Sequence, residues 1–383
     1  MAARSLDFVI WGATGLTGKL ITKYCAESAP KNLKWAIGGR TKSKLEVIKK
    51  ELLSDHHFDV PIIIADSSDQ TSINNLAQQC KVIIAAVGPF TKYGTPIVDA
   101  CVSHGTHYCD ITGEVFWVKE MIEKYHDKAV KNGVKIVPCC GFDSVPSDIG
   151  AYYCNLETQK AFGENCESIK AYYKLRGGRV SGGTLASVFN ILESSPKQTP
   201  DIPKPKTFVS YEKDTKSWGY PFPMSMVNAW VARRSARNLG TDFSYDEMLH
   251  SSSMFKAFTG WFVLVLGIIM AYLPPTRWFL KKFVVPKPGA ATEAAADSSF
   301  HIDFVGKTKS KKTVRAVMHG PEMYDITATF VSESAFTLID EGSEGSGGVL
   351  MPSECFGNSL LEKLQNIDTL KFGFSKDGSA PKV

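Results

Sequence analysis

The sequence predicts an α/β protein, with a doubly wound parallel sheet at the N-terminus and an inserted α+β unit after it. Three observations carry this prediction. An apolar run at 8–11 breaks into glycines at Gly12, Gly15 and Gly18 and resumes with helical spacing. Apolar runs then alternate with helical stretches up to about residue 150, the pattern of β-α-β units on a parallel sheet. From about 151 the period changes: runs at 168–175, 300–305 and 313–318 read as strands without alternating long helices, which predicts an antiparallel sheet.

The first element, F-V-I-W-G-A-T-G-L-T-G at 8–18, reads as strand, phosphate loop and helix start. In such a loop Gly12 makes the tight turn, Gly15 lets the backbone approach a pyrophosphate, and Gly18 allows close helix–strand packing. Ala13, Thr14, Leu16 and Thr17 complete it, with the positive end of the helix facing the phosphates. The alternative is an ordinary strand–helix turn. The spacing is G-x-x-G-x-x-G rather than G-x-G-x-x-G, so the nicotinamide assignment needs a second signal. The next strand supplies it by ending in Gly38, Gly39, Arg40, Thr41 and Lys42. An acidic residue there suits the ribose hydroxyls of NAD, whereas a basic end suits a 2′-phosphate. The expected cofactor is NADP(H), in a Rossmann-like sheet; a solvated basic turn is the plainer alternative.

Further along, 44–53 has helical spacing, 60–65 reads as a strand, 72–79 as a helix and 82–87 as a strand. Asp66 follows its strand and can accept from an adenine amino group or simply cap the next helix. The strand ending at Val87 runs into Gly88, Pro89, Phe90 and Tyr93, at the sheet edge where ribose and nicotinamide pass. Asp110, Thr112 and Glu114 belong to the next strand end, and Asp143 to a third, ahead of a helix from about Pro146. Tyr93 is the first candidate proton donor, followed by Glu114 and Asp143. Each has a structural alternative: Tyr93 can pack over the ribose, and Asp143 can cap its helix.

The chain has 383 residues, enough for two domains, with 44% hydrophobic and 22% charged residues, a globular composition. A net charge of +5, from 44 basic and 39 acidic side chains spread along the chain, does not imply nucleic acid. Nine cysteines without a C-x-x-C pair read as reduced thiols in a cytosolic setting, with no zinc spacing and no metal expected. Cys139 and Cys140 read as buried small hydrophobes rather than nucleophiles. No cleavable signal is read before the first strand.

The organisation expected is an NADP(H)-binding unit at 1–150, a substrate or dimerisation unit at 151–340, and a C-terminal segment at 341–383. Gly177, Gly178, Gly182 and Gly183 surround Arg179 and Ser181 ahead of a helix start near Thr184, a flexible loop or a second anion site. The Pro-, Lys- and Ser-rich stretch 194–224 reads as a surface excursion or lid. Helices are expected at 324–339 and 355–365, and 375–383 is expected to fray. Residues 257–273 carry no charge and end at Pro274 and Pro275, with Trp261, Tyr272 and Trp278 near the edges and Lys256, Arg277, Lys281 and Lys282 flanking. At ~1.5 Å per residue this reaches roughly 25 Å, short of a ~30 Å hydrocarbon core. Three readings stand: attachment to a membrane or lipid droplet as a hairpin with 276–285, a buried helix, and a true span; attachment is favoured.

G-A-T-G-L-T-G at 12–18, G-G-R at 38–40, G-P-F-x-x-Y-G at 88–94, H-Y-C-D-I-T-G-E at 107–114 and C-G-F-D-S-V-P-S-D at 140–148 together resemble the saccharopine dehydrogenase-like oxidoreductases. S-G-G-T at 181–184, P-K-P-G at 286–289 and G-G-V-x-x-P at 347–352 extend the resemblance over nearly the whole chain. It is also similar to the bacterial trans-acting enoyl reductases. The resemblance implies an oxidoreductase whose C-terminal segment returns to pack on the nucleotide unit. With the apolar segment, the expectation is NADP(H)-dependent reduction of an activated C=C or C=N bond in an apolar substrate, on a lipid-droplet or other membrane surface facing the cytosol rather than in the mitochondrion. A homodimer is left open. The alternative is a lipid-surface scaffold or redox sensor that binds NADP(H) without turnover. Saccharopine itself would need an Arg or Lys cluster, for which Arg176, Arg179, Arg233, Arg234 and Arg237 are the only obvious candidates.

Overall fold

The computed structural model describes residues 4–179, 182, 185, 186, 189, 208–284, 292–295, 297–341 and 345–381. Six of the first sheet's seven strands come from the N-terminal part of the chain: β1 (Leu6–Trp11), β2 (Trp35–Gly39), β3 (Ile62–Ile64), β4 (Cys80–Ala85), β5 (His107–Asp110) and β6 (Lys135–Val137). They lie in the order β6-β5-β4-β1-β2-β3, and every pairing is parallel. Along β1 the side chains alternate between two apolar layers, Phe8 and Ile10 facing one, Val9 and Trp11 the other. Burial on both faces is why these strands read as continuous apolar runs. Helices α1 (Leu16–Ser28), α2 (Lys42–Leu52), α3 (Gln70–Gln79), α4 (Phe90–His104) and α5 (Val115–Asn132) connect them, and α6 (Val145–Phe162) leads out.

The second sheet contains β7 (Cys166–Arg176), β8 (Ser210–Glu212), β9 (Ser217–Pro221), β10 (Ser244–Ser251), β11 (Ser299–Thr308) and β12 (Thr313–Gly320). The expectation of an antiparallel sheet is corrected: β10 runs parallel to β7, while the other pairings are antiparallel. The long connection between β7 and β10, which includes α7 (Ser225–Asn238), permits that crossover. The expected excursion at 194–224 also needs correction, because β8 and β9 occupy its second half. Its first part, like the helix start near Thr184, lies outside the described residues.

After β10 the chain forms α8 (Met254–Tyr272), followed by α9 (Pro274–Phe279) and a π-helical turn, Leu280–Val284. The buried-helix reading of this segment is overturned. Within α8 only Ala257 and Ala271 are buried, while Phe255 is 79% and Val263 62% exposed. By length and composition α8 can cross a membrane, one such helix among the described residues. The Thr276 hydroxyl donates to Met270 O at 2.6 Å and holds α9 against the end of α8.

The C-terminal elements tie the two sheets together. Helix α10 (Met323–Glu341) packs on α1 and β4, where Tyr24 OH donates to Glu333 Oε1 at 2.8 Å. Strand β13 (Gly348–Val349) adds to β6 in parallel, a seventh strand hidden in a glycine-rich stretch. Helix α11 (Pro352–Gln365) docks on α6, and the Asp148 carboxylate accepts from Ser353 N and Oγ at 2.7 Å each. Finally β14 (Lys371–Ser375) pairs with β12, so order extends into the segment expected to fray.

Candidate active site

Strand order reverses direction at β1, whose neighbours are β4 and β2, and ligands of open α/β sheets bind beyond the carboxyl ends at such a point. The loops gathered there are 12–15, 86–89, 111–114 and 138–144. Gly12 has φ +96°, and a Cβ on it would stand 2.6 Å from Val87 Cγ2, so the turn after β1 nests against the end of β4. Gly12 N and Ala13 N both donate to Gly38 O, at 2.9 and 3.2 Å. Ala13 is buried beneath the loop, while Thr14, Leu16 and Thr17 are half-buried along it.

Gly15 is the N-cap of α1, with no side-chain cap and no acidic residue in the first turn. The first-turn N–H groups of a helix lack intrahelical partners and carry the positive end of its dipole. A Cβ on Gly15 would meet nothing nearer than Gly12 O, at 3.5 Å. The protein itself therefore does not demand glycine there, whereas a phosphate drawn against the backbone does. Arg40 is exposed just beyond β2, Thr41 is the N-cap of α2, and Lys42 lies 3.9 Å from Glu46. Asp66 stands across from them after β3. Its Oδ1 accepts from Ser68 N and Oγ at 2.9 Å each, and these bonds, with Arg40 nearby, lower its pKa. These residues fit NADP(H): a bare helix start for the pyrophosphate and an exposed guanidinium for the 2′-phosphate.

At the end of β4, Gly88 is exposed, Pro89 is the N-cap of α4, and Phe90 is buried with its ring 5.6 Å from that of Trp117. Tyr93 lies in the first turn of α4 and is 37% exposed. Glu114 is buried and its carboxylate is engaged: Oε1 accepts from Phe90 N at 2.8 Å, and Oε2 from Thr91 N at 3.0 Å and the Thr91 hydroxyl. It caps α4 across the loop. Asp143 Oδ2 lies 3.6 Å from the point where a Cβ on Gly113 would sit, and burial pushes its carboxyl up to about 6.

Asp110, which the sequence places at the crevice, holds its loops together there, and two further features, Met224 and a cluster around Glu247, escaped sequence reading. Asp110, buried at the end of β5, accepts from Thr112 N at 2.9 Å, Cys139 N at 3.0 Å and Tyr108 OH at 2.7 Å, and burial raises it to about 7. Met224 reaches Gly113 from the second sheet's side, its Cε 2.9 Å from that same Cβ position. Deeper still, Glu247 accepts from Ser147 Oγ, Asn228 Nδ2 and Tyr245 OH at 2.8, 2.8 and 2.9 Å, while Ser144 Oγ donates to Asn228 Oδ1 at 3.1 Å. Burial pushes this carboxyl up to about 7. The partners come from α6, α7 and β10, so no local spacing announces them. Cys139 and Cys140 are buried thiols pushed well above their ordinary range by that burial.

Comparison with known proteins matches residues 8–137 to the saccharopine dehydrogenase NADP-binding domain. A Mycobacterium tuberculosis protein described as a candidate trans-acting enoyl reductase is 30% identical over 403 aligned residues, 94% of this chain and 96% of the relative. A trans-acting enoyl reductase of Mycobacterium bovis is 27% identical, over 95% and 96% of the two chains. Among solved structures, saccharopine dehydrogenase (L-Glu forming) from Saccharomyces cerevisiae aligns over 97% of this chain and 100% of its own, with TM-score 0.58 and 10% identity, a likeness of fold alone.

Proposed function

The chain belongs to the saccharopine dehydrogenase-like oxidoreductase family, and from that premise we propose that it reduces an activated C=C or C=N bond of an apolar, lipid-like substrate at a membrane or lipid-droplet surface. That it is an NADP-dependent oxidoreductase follows from the matched domain and relatives. The apolar substrate and the lipid surface rest on one structural path. Tyr220 of β9 packs on α8, where a Cβ on Gly260 would meet its ring at 2.8 Å. Two residues on, the Phe222 ring stacks on Tyr173 with centroids 4.5 Å apart. Two further on, Met224 touches Gly113 beside Asp143. One short stretch of chain thus runs from the exposed apolar helix to the mouth of the crevice.

The exposed side chains of α8 include Phe258, Phe262, Leu266, Ile268 and Ile269. Full burial of such a side chain is worth ~1.5–3 kcal/mol, so a lipid surface offers several kcal/mol to a helix half-exposed all along. Trp278 and Phe283 continue the apolar face beyond the bend, and Lys282 Nζ lies 4.7 Å from the Trp278 ring centroid, an arrangement suited to the headgroup level.

When bound, NADPH supplies a hydride to the substrate. The chain's part is to hold the phosphates at the start of α1 and beside Arg40, to keep water from the mouth with Met224, and to deliver a proton. Asp143 suits that last role best. With a pKa near 6 it keeps a protonated fraction close to neutrality, and it lies at the mouth rather than in a cap. Tyr93, exposed on the first turn of α4, is the second candidate.

Flotation on phosphatidylcholine vesicles tests the lipid surface. The full chain should float, and a variant with Phe262, Val263, Leu266 and Ile269 replaced by Gln should remain at the bottom. A full chain that stays at the bottom overturns the reading.

A further inference from the structure

Two helices begin at the switch point of the first sheet, and the chain treats their positive ends in opposite ways. The start of α1 has neither a side-chain cap nor an acidic residue. The start of α4 is closed by a buried carboxylate from another loop, since Glu114 takes the N–H groups of Phe90 and Thr91 and the Thr91 hydroxyl. Glu114 is itself held in place: its N–H donates to Thr112 Oγ1 at 3.0 Å, and Thr112 N donates to Asp110, which also takes Cys139 N. Hydrogen bonds accepted by two buried carboxyl groups therefore join the loops after β4, β5 and β6. A carboxylate at a helix N-terminus neutralises the end that would otherwise draw an anion.

We infer that Glu114 is a positioning residue for the nicotinamide half of the cofactor: it closes α4 to phosphate, leaving the start of α1 to hold the pyrophosphate, and fixes the 87–91 loop that the nicotinamide ribose passes. Asp110 acts through it by holding the 111–114 and 138–144 loops in register. Glu114 then has no share in proton transfer, and its loss is felt at one end of the cofactor. The adenosine end, at Arg40 and Asp66, lies beyond the opposite side of β1 and is untouched by it.

Calorimetric titration of wild type, Glu114→Gln, Glu114→Ala and Thr91→Val with NADPH and with adenosine 2′,5′-bisphosphate tests this. Charge-assisted hydrogen bonds are strong, so Glu114→Ala should raise the Kd for NADPH about tenfold or more and leave that for the bisphosphate within about twofold. Glu114→Gln, which keeps an acceptor, should fall between. Thr91→Val, which removes a single donor on an exposed residue, reads the same ratio more weakly if the Glu114 variants do not fold, with about a threefold loss for NADPH alone. An equal loss for both ligands, or no loss for NADPH in the variants that fold, overturns the inference.

Discussion

Gly18 lies so close under Gly12 that a Cβ on it would stand 2.1 Å from the Gly12 carbonyl oxygen. That contact packs α1 against the end of β1 and sets the phosphate loop between them. Gly15, three residues earlier, has φ −74°, and its Cβ would make only an ordinary van der Waals contact, 3.5 Å from Gly12 O. The two glycines therefore serve different ends. Gly18→Ala should destabilise the fold by about 2–4 kcal/mol in thermal unfolding. Gly15→Ala should unfold at nearly the wild-type temperature but bind NADPH about tenfold or more weakly; a large loss of stability in Gly15→Ala would count against a phosphate contact there.

Arg40 is exposed beside Asp66 and free to meet a 2′-phosphate. Arg40→Ala should raise the Kd for NADPH by about tenfold or more and change that for NADH little, since a charge-assisted pair of this kind is worth ~1.5–3 kcal/mol. Equal effects on the two nucleotides would move the 2′-phosphate elsewhere.

If Asp143 delivers the proton, turnover of an enoyl thioester should need its acid form and fall as pH rises through about 6. Asp143→Asn should lower kcat by about two orders of magnitude with the Kd for NADPH unchanged. Tyr93→Phe should cost much less. The reverse ranking would hand the role to Tyr93.

The nucleotide half was legible because each strand and helix there carries its signal locally. Glycines at 12, 15 and 18, the basic strand end at Arg40 and the 88–94 turn each announce their position within a few residues. The seventh strand was not legible, since Gly348–Val349 is too short for any period. Nor was the mixed second sheet: whether β10 pairs parallel or antiparallel with β7 depends on the crossover between them, not on either strand's residues. For Glu114 the residue was found and the role was not, because the cap joins positions 90 and 114 through space. The Glu247 cluster is the extreme case, with Ser147, Asn228 and Glu247 brought together from three elements.

That cluster predicts a pH dependence. The folded-state pKa of Glu247, about 7, lies above the ordinary 4.5, so the folded protein keeps a proton that the unfolded chain releases in this interval. The stabilisation is full below about 4.5 and lost as pH rises through 7. Asp110, Asp143 and Asp148 are raised in the same sense, while half-buried His107, lowered to about 4, opposes them below 6.5. Comparing Glu247→Gln with wild type isolates one group. The Tm difference, variant minus wild type, should be more positive at pH 8 than at pH 5.5, and a difference independent of pH would show that Glu247 does not titrate there.

The central claim is that a lipid surface and the reducing site share one mouth, linked through Tyr220, Phe222 and Met224. The most direct measurement is NADPH oxidation with trans-2-hexadecenoyl and trans-2-butenoyl thioesters of N-acetylcysteamine, the long one carried in vesicles. Wild type is compared with the variant in which Phe262, Val263, Leu266 and Ile269 are Gln. The account predicts turnover of both by wild type, a KM for the long substrate raised about tenfold or more in the variant, and unchanged kinetics with the short one, since each methylene kept out of water is worth ~0.8 kcal/mol. Equal losses for long and short substrates, or none for either, would contradict it, as would tight NADPH binding with no oxidation by the wild-type protein.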